Sequence, residues 1–137
     1  MARSTKVIVS LGSNHDSSES MSKGMAIITS VLSPALSTAV TETTPIGGYE
    51  GPFFNALVTG YTRLEVEQLM SFLKSTEQEC GDSRQLREEG KITLDIDLLK
   101  YGKTKYHLDD WERDYIKQLI GQLRQIKKRK ANDNPTP

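Results

Sequence analysis

An α+β fold of the ferredoxin-like kind, an antiparallel sheet with helices on one face, is predicted by three observations on this 137-residue chain. Four runs read as strands, two stripes of apolar residues at helical spacing fall between the outer pairs of them, and only a loop separates the middle pair. The order is β-α-β-β-α-β, followed by one further helix.

The first strand is Lys6-Val-Ile-Val-Ser10, a β-branched run closed by Leu11-Gly12-Ser13-Asn14. Ser17 to Ser20 offer caps for a helix whose stripe is Met21, Met25, Ile28 and Leu32, and Pro34 stops it. Ala35 to Thr44, rich in Thr and Val, suits an extended strand. Pro45 to Pro52 is a loop, with two prolines and three glycines in eight residues. Phe53 to Thr62 returns to strand character. Glu65 opens a second helix with Val66, Leu69, Met70 and Leu73 as its buried stripe, and Gly81 stands where a C′ residue belongs. Gly81 to Lys91 is polar and charged and reads as a mobile loop. Ile92 to Tyr101 is the clearest strand. Asp109-Asp110 then cap a helix over 109–130, whose basic end Lys127-Lys-Arg-Lys130 suits the negative end of a helix dipole. The reading is one domain over 1–130, with a core at 6–102, and a disordered tail at 131–137.

Composition narrows the function classes. Acids balance bases 18 to 18, so no global field argues for nucleic acid or an anionic membrane. No apolar run approaches the ~20 residues that span a bilayer. The opening residues are too poor in apolar side chains for a signal-peptide core. The one cysteine, Cys80, fits a reducing compartment. A cytoplasmic location is the expectation.

Asp95-Ile96-Asp97-Leu98-Leu99 is the most informative stretch. On a strand, residues i and i+2 share a face, so both carboxylates project together while Ile96 and Leu98 face the core. Side-by-side carboxylates repel, and a hard cation such as magnesium, with phosphate oxygens completing its shell, relieves that. The competing interpretation is an edge strand wetted on its polar side. Phe53 and Asn55 likewise share a face: a flat aromatic surface beside an amide that donates and accepts suits a planar heterocycle, or equally a core phenylalanine beside an asparagine that bonds its own loop. Glu77, Arg84, Arg87 and Lys91 precede the aspartates, and cations there can neutralise phosphates; a solvated charged loop is the plainer interpretation. His107, Arg113 and Tyr115 follow at spacing His-x5-Arg-x-Tyr and carry little by themselves.

In this order the pieces resemble one family, 6-hydroxymethyl-7,8-dihydropterin pyrophosphokinase. The matching residues are Gly12-Ser13-Asn14, Glu42-Thr43-Thr44-Pro45-Ile46-Gly47, Phe53-Phe54-Asn55-Ala56, Glu77, Gly81, Arg84, Thr93-Leu94-Asp95-Ile96-Asp97-Leu98-Leu99 and Tyr101-Gly102. The resemblance implies a ferredoxin-like fold and transfer of pyrophosphate from ATP to a pterin alcohol. It implies two Mg2+ ions on Asp95 and Asp97, with Arg84 as a catalytic cation. Pterin contacts fall on Thr43, Pro45, Ile46, Phe53, Asn55 and Tyr115, and ATP contacts on Glu77, Arg84, Leu98, His107 and Arg113. Departures are specific: Asp82 and Ile92 stand where the family carries arginines, Glu89 where a tryptophan stacks, and Tyr106 where a proline precedes the histidine. Arg87 and Lys91 are the neighbouring cations available to substitute.

Besides this enzyme, two other functions remain open. One is a degenerate paralogue that binds a pterin or nucleotide without turnover. The other is a small interaction domain whose basic helix docks a partner or RNA. Trp111, Tyr115 and Leu119 suit either a homo-oligomer contact through the last helix or packing on the chain's own sheet.

Overall fold

Strands β1 (Thr5–Ser13), β4 (Phe53–Thr62) and β5 (Asp95–Tyr101) form the centre of an antiparallel sheet. The computed structural model describes residues 3–45, 49 and 51–133. Two short strands, β2 (Leu36–Ser37) and β3 (Thr41–Thr43), pair with the outer edge of β4, and β6 (Thr104–Lys105) closes a hairpin on β5. The order β2-β4-β1-β5-β6, with β3 beside β4, is the ferredoxin-like arrangement.

Helices α1 (Ser17–Thr29) and α2 (Val66–Glu79) cover one face of the sheet. Val7, Val9 and Leu11 of β1, Ala56 and Val58 of β4, and Ile96 and Leu98 of β5 meet Met21, Ile28, Leu69 and Leu73 there, all buried. Alternation sends Ile8, Leu57 and Leu99 to the other face. Helix α5 (Asp114–Asp133) lies on that face and buries Ile116, Leu119 and Leu123 against Leu57 and Leu99. The two inner helices thus share one face as expected, and the further C-terminal helix takes the other. The apolar stripe of the last helix packs on the chain's own sheet.

Several boundaries differ from expectation. The run 35–44 breaks into two strands, because Thr38 turns its hydroxyl to accept from the Leu57 amide and interrupts the ladder. The last helix is divided: α4 (Leu108–Trp111) ends before α5 begins, and α5 continues through Asp133, past residue 130. Residues 134–137 of the expected tail, and Ile46, lie outside the described residues. The segment 81–91, expected to be mobile, contains the short helix α3 (Arg84–Glu88), capped by Ser83 accepting from the Leu86 amide at 3.1 Å. Among the described residues, no helix is long and apolar enough to cross a membrane.

Candidate functional site

Because α5 covers only part of its face, the remainder of that face is open, and the side chains of β1, β4 and β5 that point there line a cavity of about 200 Å³. Register brings the key positions abreast: Gly12 of β1 stands between Asn55 of β4 and Asp95 of β5, and Ser10 pairs with Asp97. Asp95 and Asp97 therefore do share the predicted face, and both line the cavity. Phe53 and Asn55 form the β4 wall, and Tyr115 closes the site from α5. The cavity is small for a ligand cleft, but it adjoins a broader groove of about 850 Å³ that shares Thr43, Thr44, Arg113 and Tyr115.

The asparagine is held in place on both sides. Its Nδ2 donates to the Thr43 hydroxyl. Its Oδ1 lies 2.8 Å from where a Cβ on residue 12 would stand, so a side chain there would push the amide aside. Phe53 meets Tyr49 edge to face, with centroids 5.5 Å apart.

Electrostatics concentrate on Asp97. Its carboxyl is pushed up to about 6 from 3.8, first by burial and then by the charge of Asp95 beside it. His107 sits over it, Nε2 3.6 Å from Oδ1. Asp97, His107 and Asp110 bring one ligand atom each to within 4.8 Å of one another. Residues 109 and 110 do not cap the last helix as expected: they lie inside α4, whose N-cap position is His107, and Asp110 accepts from Arg113 Nε at 3.1 Å, beside the cavity. Tyr115 has its pKa raised by burial and by the charge of Asp110.

Other expected residues stand elsewhere. Arg84 points into water, its side chain 94% exposed and paired with Glu88 at 3.5 Å. The loop cation that reaches Asp95 is Arg87, which lies within the cavity wall. Leu98 turns its side chain into the α1/α2 core, as alternation with Asp97 requires. Glu77 is buried outside the cavity wall, accepting the Ile96 amide at 2.6 Å and pairing with Lys74 at 3.1 Å; its pKa is raised by that burial. Pro45 is half-buried and its side chain does not reach the cavity wall. Lys91 pairs with Glu89 at the surface.

Asn14 and Asp110, named from the sequence only in the stretch that closes the first strand and as a helix cap, were given no part in the site. Asn14 donates from Nδ2 to the Gly90 carbonyl at 3.0 Å and accepts the Ile92 amide on Oδ1 at 2.6 Å. Its use as a clamp 78 residues away in sequence leaves no local signal.

A family model, 7,8-dihydro-6-hydroxymethylpterin-pyrophosphokinase, matches residues 8–126. Two proteins of Arabidopsis thaliana are similar: a folate synthesis bifunctional protein, 34% identical over 84 residues, and a mitochondrial folate synthesis bifunctional protein, 36% identical over 84 residues. Each alignment covers 55% of this chain, and 17% and 15% of the respective relative. A folate synthesis bifunctional protein of Chlamydia caviae is 32% identical over 80 residues, covering 53% of this chain and 18% of its own length. The chain thus spans less than a fifth of the length of these curated relatives.

Proposed function

The chain belongs to the 7,8-dihydro-6-hydroxymethylpterin-pyrophosphokinase family, and from that membership we propose that it transfers pyrophosphate from ATP to 6-hydroxymethyl-7,8-dihydropterin, with magnesium, in folate biosynthesis in the cytoplasm. The observation that carries this reading is the convergence of an amide, an aromatic face, three carboxylates and two guanidinium groups on one cavity.

The donor set fits a hard divalent cation. Asp95 and Asp97 offer oxygen ligands on one face, and burial together with the charge of Asp95 raises the cost of ionising Asp97, a cost that a bound cation would offset. Asp95 and Asp97 would hold the metal ions. A magnesium ion held by these residues would supply charge neutralisation for the triphosphate and a lowered pKa for the attacking hydroxyl. In this reading Asn55, fixed by Thr43 and by the bare backbone of Gly12, reads the edge of the pterin. Phe53 and Tyr115 flank its ring. Arg87 and Arg113 face the charge that develops as the pyrophosphoryl group leaves AMP for the pterin hydroxyl. His107 supports Asp97 from outside the cavity wall.

A second reading, pterin or nucleotide binding without turnover, is favoured by one observation. Both cavity arginines are already paired with acids, Arg87 with Asp82 and Arg113 with Asp110. The two readings separate by experiment. Purified protein, ATP, magnesium and reduced hydroxymethylpterin should release AMP; pterin binding by calorimetry with no AMP formed would favour the second reading.

A further inference from the structure

The Arg87 guanidinium faces four oxygen acceptors, from Asp82, Leu94, Asp95 and Glu77. Nε donates to Asp82 Oδ1 at 2.8 Å. Nη2 donates to the Leu94 carbonyl at 3.2 Å and to Asp95 Oδ1 at 3.3 Å, and lies 3.7 Å from Glu77 Oε1. The two ends differ. The Asp82 end is short and its carboxylate is 11% exposed; the Asp95 end is longer and its carboxylate is 41% exposed. Water screens the second pair far more than the first. The weak end is the one that touches a candidate metal ligand.

Nη2 therefore occupies a position beside a carboxylate and a carbonyl oxygen, the type of surroundings a hard cation takes. Two cations cannot both draw on Asp95 Oδ1 at contact distance without repelling each other. We propose that Arg87 is the built-in counter-ion of Asp95: a divalent cation must displace Nη2 from that carboxylate, and the guanidinium, still tied through Nε to Asp82, is then free to face the anionic phosphates of the nucleotide. This rests on reading the cavity as a metal and phosphate site. It also gives Asp82 a purpose, since an acid where the family carries a base becomes the tether for a cation supplied five residues later. Arg84, out in water, cannot do this.

The test is titration of Mn2+ alone, without ATP or pterin, into the full chain and its Arg87→Gln variant, followed by calorimetry. The variant lacks the competing charge and should bind Mn2+ about three- to tenfold more tightly, the range expected for a partly screened ion pair. Its affinity for α,β-methylene ATP with magnesium should fall. A residue that merely holds α3 against β5 would weaken both, so equal or weaker Mn2+ binding by the variant overturns the proposal. A second measurement needs no variant. In the wild-type chain, the Arg87 Nε–H resonance should shift on Mg2+ addition and remain observable because Asp82 retains it; a resonance unmoved at saturating Mg2+ overturns the proposal. Absence of AMP formation would defeat the transfer reading while leaving the Mn2+ competition to be decided by these data.

Discussion

Asn14 and Ile92 hold each other by two hydrogen bonds: the Ile92 amide donates to Asn14 Oδ1 at 2.6 Å, and the Asn14 amide donates to the Ile92 carbonyl at 2.9 Å. With the third bond, from Asn14 Nδ2 to Gly90, the turn after β1 fastens the segment that delivers Arg87 to the cavity. Asn14→Ala removes the two side-chain bonds and leaves a part-buried amide unpaired, a loss of about 1–3 kcal/mol. Hydrogen exchange should accelerate at Ile92 and through α3, with little change in α1. Unaltered exchange at Ile92 would show that the clamp is dispensable.

Gly12 is needed for space rather than for backbone freedom. A methyl group there would press on Asn55 Oδ1 at 2.8 Å and turn the amide away from Thr43. Gly12→Ala should weaken binding of hydroxymethyldihydropterin by about ten- to a hundredfold, the worth of a lost buried hydrogen bond. Affinity for the nucleotide should change far less. Fluorescence titration with each ligand separately checks this, and equal losses for both would count against it.

Asp97 sets a pH dependence. Its folded-state value, about 6, lies above the 3.8 of an ordinary aspartate, so the native chain holds this proton more tightly than the unfolded chain. The associated stability is present in full below about pH 4 and is lost as pH rises through about 6. The difference of about 2 units corresponds to roughly 3 kcal/mol at most, part of it belonging to Asp95. In EDTA at pH 8, Asp97→Asn should therefore melt several degrees above the wild type. Magnesium should raise the wild-type Tm at pH 8 and lose that effect toward pH 5, where protons compete for the same oxygens. A variant that melts below the wild type at pH 8 in EDTA would contradict this.

Period-two alternation carried much of the site. It placed Asp95 with Asp97 and Phe53 with Asn55, because a strand has only two faces, and those pairs do line one cavity. The same alternation explains why Leu98, named through the resemblance, faces the core instead. What sequence could not supply was lateral register, which sets Gly12 between Asn55 and Asp95. Nor could it show which of two nearby arginines on α3 points inward. Arg84 and Arg87 lie three apart on a helix too short to display an apolar stripe, so no periodic signal separates them. The segment 81–91 read as mobile because its anchors are remote or polar: Asn14, Asp82 and the Ser83 cap. The opposite placement of α5 was also out of reach, since an amphipathic stripe says that a helix is covered without saying by which face of a sheet.

The account as a whole stands on Asp97 as a metal-holding carboxylate in a pyrophosphoryl-transfer site. AMP formation from ATP and 6-hydroxymethyl-7,8-dihydropterin in the presence of magnesium, measured for the wild type and for Asp97→Ala, tests this most directly. The predicted result is AMP release by the wild type and a fall of about a thousandfold or more in the variant, since such electrostatic groups carry most of phosphoryl-transfer catalysis. Equal AMP release by both would contradict it.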